Sequence, residues 1–288
     1  MKKHFMVSAR WLVLGLAFSL TSFVAMAQDN PGTSDGTPFN LQKGIDLFDE
    51  AWLEEEYQQA MYHLWPFAQN GNADAQWRVG YMYDEGEGFY EDNTKGVFWY
   101  RKAAEQGHSH GQFLLGWMYD FGEGVPLDDA EGQRWYLKAA NQGHTEAMFY
   151  VAINYDTGEG TRVNDAEAVR WYRAAAEDGH TDAAHNLAIM LTTGEGVPVN
   201  HKEAIRWFTM AAEDGYNTDS MEYLAEMYAE GRGTSRDINE ALMWYYSAGE
   251  NYVDWGDYEG AYRVLAEMNS LDSSHAMTKR LARYIENN

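Results

Sequence analysis

Two patterns in this chain carry the residue types of catalysis or metal binding. Gly107-His108-Ser109-His110-Gly111 matches G-x-S-x-G, the nucleophile-elbow pattern of serine hydrolases. That chemistry needs a strained strand-to-helix turn exposing the Ser beside an oxyanion hole. The flanking sequence offers two helical stretches and no strand. Gly143-His144-Thr145-Glu146-Ala147 and Gly179-His180-Thr181-Asp182-Ala183 occupy the corresponding places downstream, so repetition accounts for the motif without a hydrolase. The second pattern is His108, His144 and His180 at one fixed interval, which suggests a metal ladder. Zinc needs ligands converging within about 2.3 Å of one ion. Equivalent residues of stacked helix pairs stand a helix diameter apart, roughly 10 Å, so the three cannot share an ion. Helix-end capping or turn packing is the expected role.

The Gly-Glu-Gly turns lack the preceding strand and following Lys-Ser/Thr of a phosphate loop. No twelve-residue calcium loop of alternating carboxylates occurs, although an acidic face suits weak binding of a hard cation. No catalytic, cofactor-binding or metal-binding set is assigned, and no enzyme is expected.

The elements that position these residues repeat. Gly-x-Gly pairs occur at Gly86/Gly88, Gly122/Gly124, Gly158/Gly160, Gly194/Gly196 and Gly231/Gly233. Aromatic pairs keep step at Trp99-Tyr100, Trp135-Tyr136, Trp171-Tyr172, Trp207-Phe208 and Trp244-Tyr245. A period of this length is the mark of a solenoid, whose units share one continuous core and present extended binding faces. In each unit the first helix places small and large residues in turn, as in Ala75, Val79, Gly80 and Tyr83, so that neighbouring helices approach closely. The first Gly of each pair suits a helix C-terminus with positive φ. Asp92, Asn93, Asp128, Asn164, Asn200 and Asp237 stand where they can cap the second helices. Gly107, Gly143, Gly179 and Gly215 close those helices in the first four units.

The expected organisation is an export signal over 1–27, a flexible leader over 28–38, a degenerate helix pair over 39–70, five repeats over 71–252 and capping helices over 253–288. Ile45, Leu47, Phe48, Ala51 and Trp52 mark the first helix of the degenerate pair; Tyr57, Ala60, Met61, Leu64 and Ala68 mark its second, which Pro66 should bend. Lys279, Arg280 and Arg283 give the last helix a basic outer side.

Within 1–27, Lys2, Lys3 and Arg10 precede an apolar run from Trp11 to Val24, and Ala25-Met26-Ala27 is a small-x-small cleavage site. The run is shorter than the ~20 residues of a spanning helix, so a cleaved signal is expected rather than an anchor, and with it a periplasmic or secreted protein. There is no Cys, so the fold rests on apolar stacking. Cleavage after Ala27 takes the formal charge from −24 to −27. That balance argues against nucleic acid and anionic lipid and favours a basic partner.

The pattern [AGS]-x3-[VL]-[GA]-x2-[YL]-x2-G-x-G…[KE]-[GA]-x2-W-[YF]-x2-A-[AG] resembles the Sel-one-like repeat, a relative of the tetratricopeptide repeat. The resemblance covers about Gly71 to Tyr252. His185 and Glu222 depart from it where Trp77, Phe113 and Phe149 are aromatic, and the fifth unit has an extra residue and no closing Gly. The resemblance implies an all-α, right-handed α-solenoid of stacked antiparallel helix hairpins whose members act as adaptors in envelope signalling, polysaccharide export and inter-bacterial competition. A Cys-rich branch linked to β-lactams is a poor model for a chain without Cys.

On that geometry the first helices line a concave side. One column reads Arg78, Leu114, Tyr150, Asn186, Tyr223; a second Tyr81, Trp117, Ile153, Ile189, Glu226; a third Asp84, Asp120, Asp156, Thr192, Ala229. Aromatic anchors beside acids would select a basic protein. Alternatively the rings pack between helices, as aromatic stripes often do. If they are surface anchors, replacing Trp117 and Tyr150 with Ala abolishes binding and spares the fold. The expected function is a non-enzymatic protein-binding solenoid. It is either an immunity or inhibitor protein against an envelope-attacking toxin such as a secreted lipase, or an adaptor in envelope assembly, polysaccharide export, motility or signalling.

Overall fold

The computed structural model describes residues 38–88, 90–213 and 217–287. The chain divides into a unit of residues 1–40 and a unit of residues 41–288. Only 38–40 of the first are described, so the expected export signal and nearly all of the expected leader lie outside the described residues, as does Gly215. Every described helix belongs to the second unit.

Fourteen helices and no strand occur among the described residues: α1 (Leu41–Asp49), α2 (Glu54–Gln69), α3 (Ala73–Asp84), α4 (Asn93–Glu105), α5 (Ser109–Phe121), α6 (Asp129–Ala140), α7 (Thr145–Thr157), α8 (Asp165–Glu177), α9 (Thr181–Thr193), α10 (His201–Glu213), α11 (Thr218–Glu230), α12 (Ile238–Asp254), α13 (Tyr258–Asp272) and α14 (Ala276–Asn287). From α1 to α13 each packs mainly on its sequence neighbours, α3 on α4, α4 on α5 and so on, the contact pattern of an α-solenoid of antiparallel hairpins. None of them is long and apolar enough to cross a membrane.

Local chemistry sets the boundaries. The carboxylates of Asp92, Asp128 and Asp237 and the amide of Asn164 accept from backbone N–H groups in the first turns of α4, α6, α12 and α8. Each such cap is worth about 1 kcal/mol. Asn93 is instead the first helical residue of α4. At the other end of the hairpin, Gly122 ends α5 in the left-handed region at φ 69°, and Gly158, Gly194 and Gly231 do the same for α7, α9 and α11. The second glycine of each turn has another reason to lack a side chain. A Cβ on Gly124 would overlap the carbonyl of Asn93, because each turn seats against the start of the preceding unit's second helix.

The core lies between first and second helices. Tyr100, Tyr136, Tyr172 and Phe208 are fully enclosed. Gly80 and Gly116 make room for the first two rings: a Cβ on Gly80 would stand 2.7 Å from Tyr100 Cδ1. Burying a ring of this size contributes about 4–6 kcal/mol of transfer free energy, an upper figure because the unfolded chain already hides some apolar area.

The N-terminal pair departs from expectation at one point. α1 ends at Asp49, so Ala51 and Trp52 lie in the turn, and Trp52 is 74 % exposed. Glu56 draws the chain round by accepting from the backbone N–H of both Trp52 and Leu53. α2 runs on through Pro66 to Gln69. At the other end, α14 lies against α12 as well as α13, with Leu281 against the bare backbone of Gly249. Lys279, Arg280 and Arg283 are exposed.

Candidate protein-binding face

The three recurring histidines cap helices. His108, His144 and His180 are the N-caps of α5, α7 and α9, each Nδ1 accepting the backbone N–H three residues on, from Gly111, Ala147 and Ala183. An accepting Nδ1 fixes the proton on Nε2, which then donates to the preceding unit: to Asp74 Oδ1 at 3.2 Å, His110 Nδ1 at 3.0 Å and Glu146 Oε2 at 3.4 Å. Each ring also faces an aromatic of the preceding unit. His144 stacks on Phe113 with centroids 4.8 Å apart, His180 on Phe149 at 4.2 Å, and His108 lies tilted to Trp77 at 6.2 Å. One imidazole thus ends a turn, caps a helix and joins two units.

Both ring nitrogens of His108 and Nδ1 of His110 are taken up by these contacts. Ser109 is the first residue of α5, and the Nδ1 atoms of His108 and His110 are both engaged. Among the described residues no group of three or more His, Asp or Glu could hold a metal ion. Burial, followed by the neighbouring His144, pushes His110 down to about 4.

The first column divides into ends and middle. Arg78 is buried; its guanidinium donates to both oxygens of Asp49 at 3.1 and 3.2 Å and lies over the Trp77 ring at 4.3 Å. It is a fastening to α1 rather than a free surface group. Arg263 stands at the same register in α13 and donates to Glu222 and to the Tyr252 hydroxyl. Between these two ion pairs lie Leu114, Tyr150, Asn186 and Tyr223, all half-buried. Tyr150 stacks on Tyr136 at 5.3 Å and Tyr223 on Phe208 at 4.9 Å, while the Asn186 amide hydrogen-bonds Tyr172.

In the second column, Tyr81, Trp117, Ile153 and Ile189 are half-buried and Glu226 is exposed. Phe48 meets Tyr81 edge-on at 5.5 Å; Trp117 lies on Phe121 at 4.2 Å and edge-on to Tyr150 at 5.4 Å. Trp117 and Tyr150 therefore serve packing and surface together. With these ring contacts, truncating them to Ala is expected to cost stability as well as surface.

The third column faces the second helices. Asp84 accepts from the Tyr100 hydroxyl at 3.1 Å and Asp156 from Tyr172 at 3.3 Å; Asp120 is buried against Tyr136. Burial, then the nearby Glu85, pushes Asp84 up to about 7. Burial also lifts Asp156 above the usual carboxylate range. The fourth unit has Thr192 opposite Phe208, losing acid and hydroxyl together.

Charge is segregated between the two helix layers. α5, α7, α9 and α11 contain no Lys or Arg, and α3 has only the fastened Arg78. The second helices α4, α6, α8 and α10 carry Lys95, Arg101, Lys102, Arg134, Lys138, Arg170, Arg173, Lys202 and Arg206, whereas α12 has no Lys or Arg. The first-helix layer therefore presents carboxylates, among them Asp182 and Asp219, while Glu146 receives His180 and Glu226 is paired with Arg232 of the turn after α11. Burial, then Glu146, raises the Tyr150 phenol to about 12; burial, then Glu85, does the same at Tyr81.

Sequence reasoning missed the set Asp74, His110 and Glu146, which receives the capping histidines. Its signal was present: each stands two residues after a cap. The side chains differ in chemistry, so only the partner histidine reveals their shared role.

A face of this kind on stacked hairpins defines a protein-interaction solenoid. The Sel1 repeat model matches residues 73–108, 109–144, 145–180, 181–216 and 218–252, and the chain belongs to the Sel1 repeat family. A Sel1 repeat protein from Oxalobacter formigenes is 36 % identical over 74 % of this chain and 85 % of its own, with a TM-score of 0.67. A protective antigen of uropathogenic Escherichia coli is 26 % identical over 94 % of this chain, with a TM-score of 0.75. This chain covers 56 % of that antigen's length. An immunity protein of Pseudomonas aeruginosa lies further off, at 16 % identity and a TM-score of 0.42, and nothing of its role transfers. No curated protein matches.

Proposed function

We propose that this chain is a non-enzymatic periplasmic protein that holds one basic protein on its first-helix face and neutralises it, as an immunity or inhibitor protein does with an envelope-attacking toxin such as a secreted lipase. The carrying observation is the charge segregation: four successive first helices have no Lys or Arg, and the one basic residue of the fifth is bound to Asp49. A partner of positive charge meets attraction there, with Arg232 on Glu226 the internal cation it would meet. The ion pairs Arg78–Asp49 and Arg263–Glu222 bound the face, which favours one dedicated partner over a chain of several. The export signal of residues 1–27 supports the compartment, and the engagement of the histidine nitrogens in capping supports a non-catalytic role.

The test is affinity capture of the tagged, exported protein from cell envelopes at low and high salt, identified by mass spectrometry. One stoichiometric basic protein, released at high salt, is the expected result. Several components of one envelope machine, retained at high salt, would replace this reading with an adaptor.

A further inference from the structure

One of the three histidine joints has no place for a proton. At each joint the capping imidazole accepts a backbone N–H at Nδ1 and donates from Nε2 to the preceding unit. At α3–α5 and α7–α9 the acceptor is a carboxylate, Asp74 or Glu146. A proton gained there by His108 or His180 breaks the cap but meets an opposite charge. At α5–α7 the acceptor is His110 Nδ1, 3.0 Å from His144 Nε2. A proton gained by His110 lands on that Nδ1 and sets two donors face to face. A proton gained by His144 lands on its own Nδ1 and ends the cap on Ala147.

The groups facing His110 do not compensate. α3 brings Arg78, a like charge already held by Asp49 and Asp74. The α4–α5 turn brings His108, whose Nε2 donates to Asp74. α4 meets this stretch through Ala103 and Ala104, which pack on Gly111, and α6 through Ala139, whose carbonyl accepts the His144 N–H. The α6–α7 turn brings His144 itself, and α7 brings Glu146, which favours charge on His144 but is occupied by His180. Burial outweighs that pull and holds His144, like His110, below the usual histidine range. The hydrogen bond from His180 holds Glu146 below the usual carboxylate range, so the α7–α9 acceptor stays ionised in mild acid.

The same joint forms the middle of the first-helix face. Phe113 of α5 stacks on His144 and lies 5.9 Å from Tyr150 of α7, and Trp117 of α5 meets Tyr150 edge-on. Parting α5 from α7 separates these rings.

We infer that the α5–α7 joint is an acid-sensitive hinge: proton uptake by the His110–His144 pair parts α5 from α7 while the histidine joints on either side hold. This goes beyond the partner reading and does not depend on it. The direction follows from which state binds the proton more tightly. With the joint closed, His110 takes it up only at a pH of about 4; with the joint parted, it does so at the ordinary 6.5. The closed joint is therefore fully favoured above pH 6.5, and parting gains progressively as pH falls from 6.5 towards 4.

The test is hydrogen exchange of the full chain by peptide mass spectrometry in neutral and mildly acidic buffer, corrected for the pH dependence of chemical exchange. Between about pH 7 and pH 5, opening of the first turn of α7 is expected to rise about tenfold, less than the full linkage because the pair is partly exposed. The first turns of α5 and α9 should stay near their neutral values. His110→Glu supplies the kind of acceptor that Glu146 provides at the next joint, and should remove the rise. His144→Asn keeps a capping side chain, as Asn217 does for α11, and should remove it too. An equal rise at all three first turns, no rise at α7, or a rise that persists in either folded variant overturns the inference. The wild-type comparison decides alone should neither variant fold.

Discussion

The joints between the first four units and those beyond them are built differently from one backbone plan. In the first three joints a capping histidine faces an aromatic ring of the preceding unit and donates to that unit. At the next joint Asn217 caps α11, and His185 replaces the ring. At the last, Asp257 caps α13, and Glu222 binds Arg263. The departures therefore travel in groups: where the aromatic is lost, the histidine it would have stacked on is lost too. The Asp–Tyr pairing is looser: it is present at Asp84/Tyr100 and Asp156/Tyr172, both groups are lost at Thr192/Phe208, and the acid alone is lost at Ala229/Tyr245. A solenoid tolerates this because each unit meets only its neighbours, so a joint is a local solution. The early joints combine a ring contact with a histidine hydrogen bond, to a carboxylate in two of the three; the last is an arginine–carboxylate pair that is partly exposed.

The comparison breaks most severely if Phe113 is not a keystone. Phe113→Ala should cost about 3 kcal/mol, from the lost ring and the space it leaves against His144 and Tyr150. Urea denaturation followed by circular dichroism measures it; a loss comparable to that of a surface substitution would mean the stack does not hold the joint.

Acid should separate the two regions next. His110 is held neutral by burial, with a folded-state value of about 4 against the ordinary 6.5, and it faces His144, His108 and Arg78. The unfolded chain takes up this proton first. The contribution is therefore complete above pH 6.5 and drains away between pH 6.5 and 4, on the order of 2 kcal/mol after allowance for partial exposure. Asp84, pushed up to about 7, acts with the opposite sign, so the informative quantity is the difference between wild type and His110→Asn. The variant's midpoint should fall less steeply over that window; parallel profiles would remove His110 from the account.

Glu222→Ala probes the ionic joint and should cost about 1–2 kcal/mol, since Arg263 is half-exposed and its pairing is screened by solvent. Hydrogen exchange should show α13 and α14 losing protection while α3 to α9 keep theirs. Uniform loss would contradict a neighbours-only array.

The smallest effect sharpens the comparison by rebuilding the missing pair. Thr192→Asp with Phe208→Tyr should show a favourable coupling of about 0.5–1 kcal/mol in a double-mutant cycle, although each single change destabilises. Zero coupling would mean the Asp–Tyr pairs elsewhere are incidental.

Much of this was legible in the sequence, because the repeat spells each feature several times. The glycine ends, the Asp and Asn caps and the capping role of His108, His144 and His180 all followed from register. What escaped were relations between units. Nothing local to Arg78 says that it is fastened to Asp49, far back in the chain, and nothing in Asp74, His110 and Glu146 announces one shared acceptor role. Trp52 misled because helical spacing runs on past Asp49, while Glu56 turns the backbone. Trp117 and Tyr150 could be assigned to surface or core but not to both, which is where they lie.

The central claim is that the acid-only first-helix layer is the binding face. Its most direct test is charge reversal on each layer, read by capture of the basic envelope partner at low salt. Asp182→Lys with Asp219→Lys alters exposed first-helix positions, and Glu177→Lys with Glu213→Lys makes the same charge change at exposed ends of α8 and α10. The account predicts that the first pair abolishes capture and the second leaves it near wild type, with both variants folded. Equal loss from the two pairs would reduce the attraction to net charge alone, and loss only from the second would place the partner on the opposite layer.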